Sequence, residues 1–516
     1  MHLWAVQTNF TTIDWCIVIA YLAGTVVIGV YANRFIHDMA DYIVAGRSLN
    51  SFISVATMLG SEIGLVTVMY TAQKGFTGGF AALHIGLAAG LMCLFVGLTG
   101  FIVVPLRRTG VMTIPEYYGQ RFGKGVRVFG GVLLAVAGIL NMGVFLKAGA
   151  IFVTTLTGME STWAVNAVMT SLIALVLAYT ILGGMVSVVI TDYIQFVVLS
   201  FGLLLACGIA LTKVGWGDIV LAVETVQGSA GFNPLTVDEA GNTNFGPAYI
   251  VWMFFSFGLV SCAVWPTAVM RACAARDEQV VKRLYVWSSI GFMTRFFLPQ
   301  FLGICALAYL WKQGPSDFFP NPNELTDDVS VTLKAMPTLL SQILPVGVIG
   351  LIGAAMLAAF MSTHDSYLLC WAAVIVEDVI QPLCKDGLSV RRRLLLARIF
   401  IFLIGVFLLA WSLFYPMKSD MLDYLAVSGA IYFTGAFAVL VLGLYWRRAS
   451  RVGAYLAMFS GSLSLLGLGP VKEQLGHSFS EAEVGLLTTS SALILMVVGS
   501  LAFPQRPDVS TAKEKP

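Results

Sequence analysis

Apolar runs long enough to cross a lipid bilayer follow one another along almost the whole of this chain, and no other feature restricts its fold so tightly. Thirteen stand at about 12–33, 50–73, 80–106, 127–157, 162–182, 186–212, 247–273, 284–311, 339–379, 394–415, 420–446, 452–469 and 484–503. Each reaches the roughly 17 residues that a helix needs to span a hydrocarbon core about 30 Å thick. Of the 516 residues 58% are hydrophobic and only 11% charged, where a soluble domain carries about a quarter charged. Without water to satisfy its backbone, such a chain crosses lipid only as helix or closed barrel. The short alternating segments of a barrel are absent, so an all-α polytopic membrane protein of about 13 transmembrane helices is expected.

Basic residues orient it. Lys147 and Arg295 lie inside spans; with the N-terminus outside, 22 of the remaining Lys and Arg fall in inner segments and six in outer ones. That bias predicts N-out and C-in, which demands an odd number of spans. A multi-pass plasma membrane protein is the expectation, with the lipid bilayer as its surroundings. The net charge of +2 is topological, so neither nucleic acid nor an obligate protein partner is implied. No cleavable leader is expected, since the first eleven residues lack Lys and Arg. The eight cysteines fall in spans or on the inner side without paired spacing, which argues against a disulfide framework or a zinc site.

The stretch 350–367 is apolar for about three helical turns and then turns hydroxyl-rich. At roughly 100° per residue, Ala359, Ser362, Thr363 and Ser366 share a face, Asp365 flanks it, and His364 points away. Two hydroxyls and a helix carbonyl beside a carboxylate make half of an oxygen cage for a small hard cation. The other half is expected in the second span, where Gly60, Ser61, Glu62 and Gly64 interrupt a helix at mid-depth. Unwound carbonyls become cation ligands where they line a cavity, and those of Ala56 and Leu59 are the candidates. Glycines in membrane helices also serve close packing, but Glu62 in the same turn favours function.

Further along, the segment 113–122 has Pro at a helix-start position and a basic end, suiting an interfacial helix. A hairpin is expected at 179–195, leading into a span that carries Asp192. In the seventh span Gly258 and Pro266 suggest a second interruption, five spans after the first. Interruptions at matching places in two halves point to a transporter of inverted repeats with its site at the midplane. Arg295 near mid-depth needs an anion, either Glu62 or a solute carboxylate. Glu62, His84, Gly258, Cys262, Trp265 and Arg295 are the candidate substrate residues. For His84 a packing role is the simpler alternative.

Several motifs in order, YIVAGRSL at 42–49, TIPE at 113–116, Tyr179-Thr180 with Gly183-Gly184, Thr191-Asp192 with Gln195, AFMST at 359–363 and YWRR at 445–448 with Gly453-Ala454, resemble the sodium/solute symporter family. That group includes proline permeases and sodium/glucose and sialic acid transporters. The resemblance implies the leucine-transporter fold: a leading helix at 12–33, inverted five-helix repeats at 50–212 and 247–446, two trailing helices at 452–503 and a cytoplasmic tail at 504–516. It also implies a main sodium site of the Ala56, Leu59 and Ala359 carbonyls with the Ser362 and Thr363 hydroxyls. In some members a further site is similar to Asp192, Ser362, Asp365 and Ser366 here. Asp365 departs from that pattern, where a serine is usual, so its carboxylate would serve a second cation, a proton or a pair with Lys147.

The function expected is therefore sodium-coupled secondary active symport, importing a small organic solute, anionic or zwitterionic, by alternating access. Proton coupling in the same fold is the alternative, with a non-transporting solute sensor behind it. A sensor is expected to carry a signalling module that the inner tail does not provide. Enzyme chemistry is not expected, since no His/Glu metal motif, Ser/His/Asp set or phosphate loop appears.

Overall fold

The computed structural model describes residues 8–32, 51–159, 161–236, 245–385, 387–415, 420–476 and 479–504. Helix dominates. The leading α1 (Thr12–Ala32) is followed by α2 (Ser51–Glu62) and α3 (Leu65–Gly78), two limbs of one helix interrupted at Ile63 and Gly64. The chain reverses at Gly79, whose φ of +58° demands a residue without a Cβ, and returns as α4 (Leu83–Thr99). Then come α5 (Val103–Arg108), α6 (Ile114–Phe122), α7 (Lys124–Met142), α8 (Phe145–Thr157), α9 (Thr162–Val214) and α10 (Trp216–Gln227). A second interrupted helix comprises α11 (Gly246–Val264) and α12 (Pro266–Ala274). The remainder is α13 (Glu278–Lys312), α14 (Val329–Thr332), α15 (Ala335–Ile343), α16 (Val348–Leu383), α17 (Val390–Phe414), α18 (Met421–Tyr445), α19 (Arg451–Ser460), α20 (Gly469–Leu475) and α21 (Glu481–Ala502).

Among the described residues nine helical stretches are long and apolar enough to cross a membrane. One reason that the thirteen apolar runs exceed that number is that some of them share a helical stretch, as in Leu65–Thr99, or divide. The run at 452–469, for instance, splits into α19 and a 3-10 stretch, Gly461–Gly467. The interfacial helix forms where expected: Thr113 caps α6 by accepting from the Glu116 amide (3.2 Å), and Pro115 sits in its first turn.

The hairpin expected at 179–195 falls inside α9. Helical bonding is continuous through all 53 residues of α9, which as a straight rod would be about 80 Å long, far more than a bilayer core. Its two ends nevertheless lie in one layer. Thr8 donates to the Leu156 carbonyl (2.6 Å), Asn9 to the Gln342 carbonyl (2.8 Å), and Gln313 to the Gln342 side chain (2.9 Å), while Lys312 pairs with Asp218. Leu156 precedes α9 and Asp218 follows it, so α9 is two limbs that bend back.

α16 runs through the centre. Every residue from Ile352 to Val374 is buried, as a helix that is apolar all round requires. Its N-terminus is held from outside the helix: Asp14 of α1 accepts from the amides of Gly347 (2.7 Å) and Gly350 (2.9 Å), groups that no turn of the helix can satisfy. Close contact also fixes α3 on α13, where a Cβ added at Gly303 would lie 1.9 Å from the Ala72 carbonyl oxygen. We predict that Asp14→Ala lowers stability by about 1–2 kcal/mol, read as a lower unfolding temperature of the detergent-solubilised protein. An unchanged temperature would show that the leading helix does not anchor α16.

Candidate functional site

Both interruptions open toward α16, and the first meets its hydroxyl-rich turn. Ser362 Oγ donates within reach of the Gly60 carbonyl (3.1 Å) and the Ala359 carbonyl (3.2 Å), and Thr363 Oγ1 donates to the Ala359 carbonyl (3.0 Å). Thr363 also packs on the break itself: a Cβ at Gly64 would fall 2.1 Å from its Oγ1, so only glycine admits this approach. The Leu59 carbonyl accepts the Ile63 amide (2.8 Å), the last helical bond before the break. Ala56, Leu59, Ala359, Ser362 and Thr363 are all buried. Hydroxyls that donate to carbonyls keep lone pairs for a cation, and the donor set is all oxygen, as sodium prefers.

Beside this turn lies a cavity of about 70 Å³ measured at water centres, room for several water molecules. Its polar lining includes Glu62, Thr67, Asn141, Ser261 and Arg295; Tyr70, Phe145, Trp265, Phe292, Tyr367 and Phe433 form aromatic walls, and Cys262 and Thr363 also face it. Glu62 and Arg295 form an ion pair (2.8 Å), each 8% exposed, which is how a buried charge is made tolerable. Thr267 donates to the other Glu62 oxygen (3.1 Å), and Arg295 also reaches the Glu62 carbonyl (3.2 Å). Phe292 and Phe296 cover the guanidinium at 4.1 and 4.9 Å. Arg295 Nε is buried and has no acceptor among the described residues. The anion that mid-depth Arg295 requires is therefore Glu62, and the Nε donor remains over.

The remaining expected residues fall elsewhere. His84 stands outside the cavity: its Nδ1 lies 2.7 Å from the Ala81 carbonyl and its ring packs on Phe245 and Tyr249. Gly258 lies inside a π-helical stretch, Trp252–Leu259, against Met92 of α4. It does not break the helix; that happens at Trp265, whose ψ of 118° precedes Pro266. Lys147 donates to the Tyr415 carbonyl (3.2 Å), and Asp365 is buried on α16. Asp192 is on α9, but its side chain lies outside the described residues. Ser366 accepts from Arg271 (3.1 Å), a buried arginine of α12 that also donates to the Thr57 carbonyl (3.2 Å) and the Thr267 carbonyl (3.2 Å).

Arg271 passes in the sequence for one of the topological inner basics. Thr267 and Asn141 give no warning either, since a lone hydroxyl or amide in a span has no spacing to betray it. Asn141 donates to the Leu425 carbonyl (2.8 Å) and Ser428 Oγ (2.9 Å), tying α7 to α18 at the cavity edge.

Comparison with known proteins bears on this geometry. A family model described as the sodium:solute symporter family matches residues 42–461. Sodium/glucose cotransporter 4 of Danio rerio is 25% identical over 477 residues, covering 87% of this chain and 70% of that protein. The sodium/myo-inositol cotransporter of Homo sapiens is 26% identical over 508 residues, 92% of this chain and 68% of that one. A substrate-bound, outward-open Na+-coupled sialic acid symporter superposes with a TM-score of 0.79 at 18% identity, covering 96% of this chain and 99% of its own. MhsT in complex with L-phenylalanine gives 0.54 at 15% identity, over 87% of this chain and 98% of its own. The fold is that of the leucine transporter.

For the buried pair we predict that Glu62→Gln or Arg295→Met alone costs about 3–5 kcal/mol, because each strands a charge, and that the double variant recovers part of the loss. Unfolding midpoints in detergent measure this. Strictly additive losses would show that the two side chains do not depend on each other.

Proposed function

The chain belongs to the sodium:solute symporter family, and from that premise we propose which of its residues hold the ion and the solute. It is a multi-pass membrane protein and a sodium-coupled symporter. The coupling ion is held where α2 ends: the carbonyls of Ala56, Leu59 and Ala359 and the hydroxyls of Ser362 and Thr363 are its ligands, with the Gly60 carbonyl alongside. The observation that carries this reading is the double position of Thr363, which packs on Gly64 at the break and also lines the cavity. An ion ligated there draws α2 against α16 and at the same time shapes the wall that a solute meets.

Inward sodium movement supplies about 2.3 kcal/mol per charge per 100 mV of membrane potential, besides its concentration gradient. Ion binding favours the conformation with the higher solute affinity, and release of both to the inside resets the cycle. The repeats at 50–212 and 247–446 would be the bodies that move, in a plasma membrane with the N-terminus outside and the C-terminus in the cytoplasm.

The solute occupies the cavity between Glu62, Arg295 and the aromatic walls. Glu62 already neutralises Arg295, so the guanidinium does not by itself require an anion, while the spare Nε donor favours a solute that presents an acceptor. A small solute of no net charge, such as a zwitterion with its carboxylate toward Arg295, fits this best. Cys262 and Trp265 contribute wall; His84 and Gly258 support it from outside. The buried carboxylate Asp365 supports a second reading, a further cation or proton site with Asp192 and Ser366, although Ser366 is also an acceptor for Arg271.

We predict that Ser362→Ala and Thr363→Ala each raise the sodium concentration for half-maximal uptake at least about tenfold, the order of one lost ligand at 1.4 kcal/mol per decade. Replacing sodium with choline should abolish uptake. The assay is radiolabelled uptake into vesicles across sugars, polyols, amino acids and carboxylates, with pH and sodium varied separately. Uptake that follows pH and ignores sodium would move the coupling to Asp365.

A further inference from the structure

Between the first limb of α9 and α17 lies a groove of about 550 Å³ measured at water centres, bounded by the stretch from Thr170 to Ile181 and the stretch from Phe402 to Leu409. Small residues make room for it. Ala174 and Ala178 line one wall and Gly405 the other, where α17 comes so near that an added Cβ would fall 2.8 Å from the Leu177 side chain. Thr170 has the only polar side chain among the residues that line it, and its hydroxyl is taken up by the Asn166 carbonyl (2.9 Å). Phe402 and Val406 stand 52% and 51% exposed, so the groove faces outward from a helix that is apolar enough to cross a membrane.

One end of this groove is basic. Phe402, Val406 and Leu409 follow one face of α17, and Arg398 continues that face one turn closer to the helix start, with Arg391 about two turns beyond it. Arg398 Nε is buried and has no acceptor among the described residues, while Arg391 is exposed. The first turn of α17 holds Arg391, Arg392 and Arg393 and no acidic residue, the reverse of what the helix dipole favours. Glu377 answers Arg393.

Hydrocarbon walls and an unanswered guanidinium together select an amphiphile that is apolar along its length and anionic at its tip. From Thr170 to Ile181 the groove wall is about 17 Å long, close to one leaflet's half of a core about 30 Å thick, so an acyl chain matches it. Arginine holds phosphate through paired hydrogen bonds, and basic pockets between transmembrane helices recognise anionic headgroups. We propose that the groove is the site of one anionic phospholipid, an acyl chain lying between α9 and α17 and its phosphate on Arg398 and Arg391. Bound there, the lipid joins a helix of the first repeat to one of the second, whatever ion or solute the protein carries.

Native mass spectrometry of the full chain in detergent, titrated with dioleoyl phosphatidylglycerol or dioleoyl phosphatidylcholine, tests this. The unaltered protein should hold one phosphatidylglycerol at least about tenfold more tightly than phosphatidylcholine, and Arg391→Gln/Arg398→Gln should lose about that factor, as expected for charge-assisted hydrogen bonds. Ala174→Phe, which fills the groove and leaves both arginines in place, should weaken phosphatidylglycerol binding as well, so the site is probed from its two ends by unrelated changes. Arg283→Gln, an exposed arginine on α13, should change nothing. Equal retention of the two lipids would overturn the proposal, as would a loss in Arg283→Gln as large as in the double variant. So would full displacement of phosphatidylglycerol by inorganic phosphate, which would make this a site for a free anion. A change of oligomeric state in Ala174→Phe with lipid binding intact would assign the groove to a second copy of the chain instead.

Discussion

The approach of α16 to the break between α2 and α3 is the contact on which the rest of this structure depends. Ser362 reaches the Gly60 carbonyl at 3.1 Å, and Thr363 Oγ1 takes the space that any side chain at residue 64 would fill. Backbone left without helical partners at membrane depth is costly unless protein or a cavity satisfies it. The Ser362 hydroxyl meets that demand at Gly60 while Thr363 donates to the Ala359 carbonyl of its own helix, and the result is a locus of oxygen atoms next to an internal cavity. The burial of α16 on all sides and the Asp14 cap at its start hold one wall of that locus in place.

Charge inside the protein is arranged in three levels along one path. At one end is Lys74 with Asp420 and Asp423, partly in touch with water. At the cavity is the Glu62–Arg295 pair, supported by Thr267 and covered by two phenylalanine rings. Beyond it is Arg271, surrounded by oxygen of Thr57, Thr267 and Ser366. Thr267 links the last two, donating its hydroxyl to Glu62 and offering its carbonyl to Arg271. A buried charge that loses its partner is heavily penalised, so a shift of α12 during transport must carry these contacts along or exchange them for others.

Much of this was legible in the sequence because lipid leaves so few choices. Thirteen apolar runs predicted a helical membrane protein, Gly60 to Gly64 predicted the first break, and Pro266 marked the second. Periodicity alone placed Ser362 and Thr363 on one face with His364 opposite, and His364 indeed turns away to Phe360 and Phe145. Other features had no local signature. Gly258 reads as a helix breaker, yet neighbouring backbone and Met92 keep it in a π-helical turn. His84 reads as a polar group at depth, yet the chain reverses just before it and sets it against Phe245 and Tyr249.

What the sequence by itself determined is the set of elements: which segments enter lipid, where two of them must unwind, and which face of α16 carries oxygen. Those properties follow from hydrophobicity, from glycine and proline backbone limits and from helical repeat, all of which act over a few residues. Only the tertiary structure decided that Arg295 answers Glu62, that Arg271 is buried beside Ser366, and that Lys74 meets Asp420 and Asp423 almost 350 residues away. A charge in a span announces that it needs a partner, but which one it finds depends on how the helices pack, and no short-range pattern encodes that.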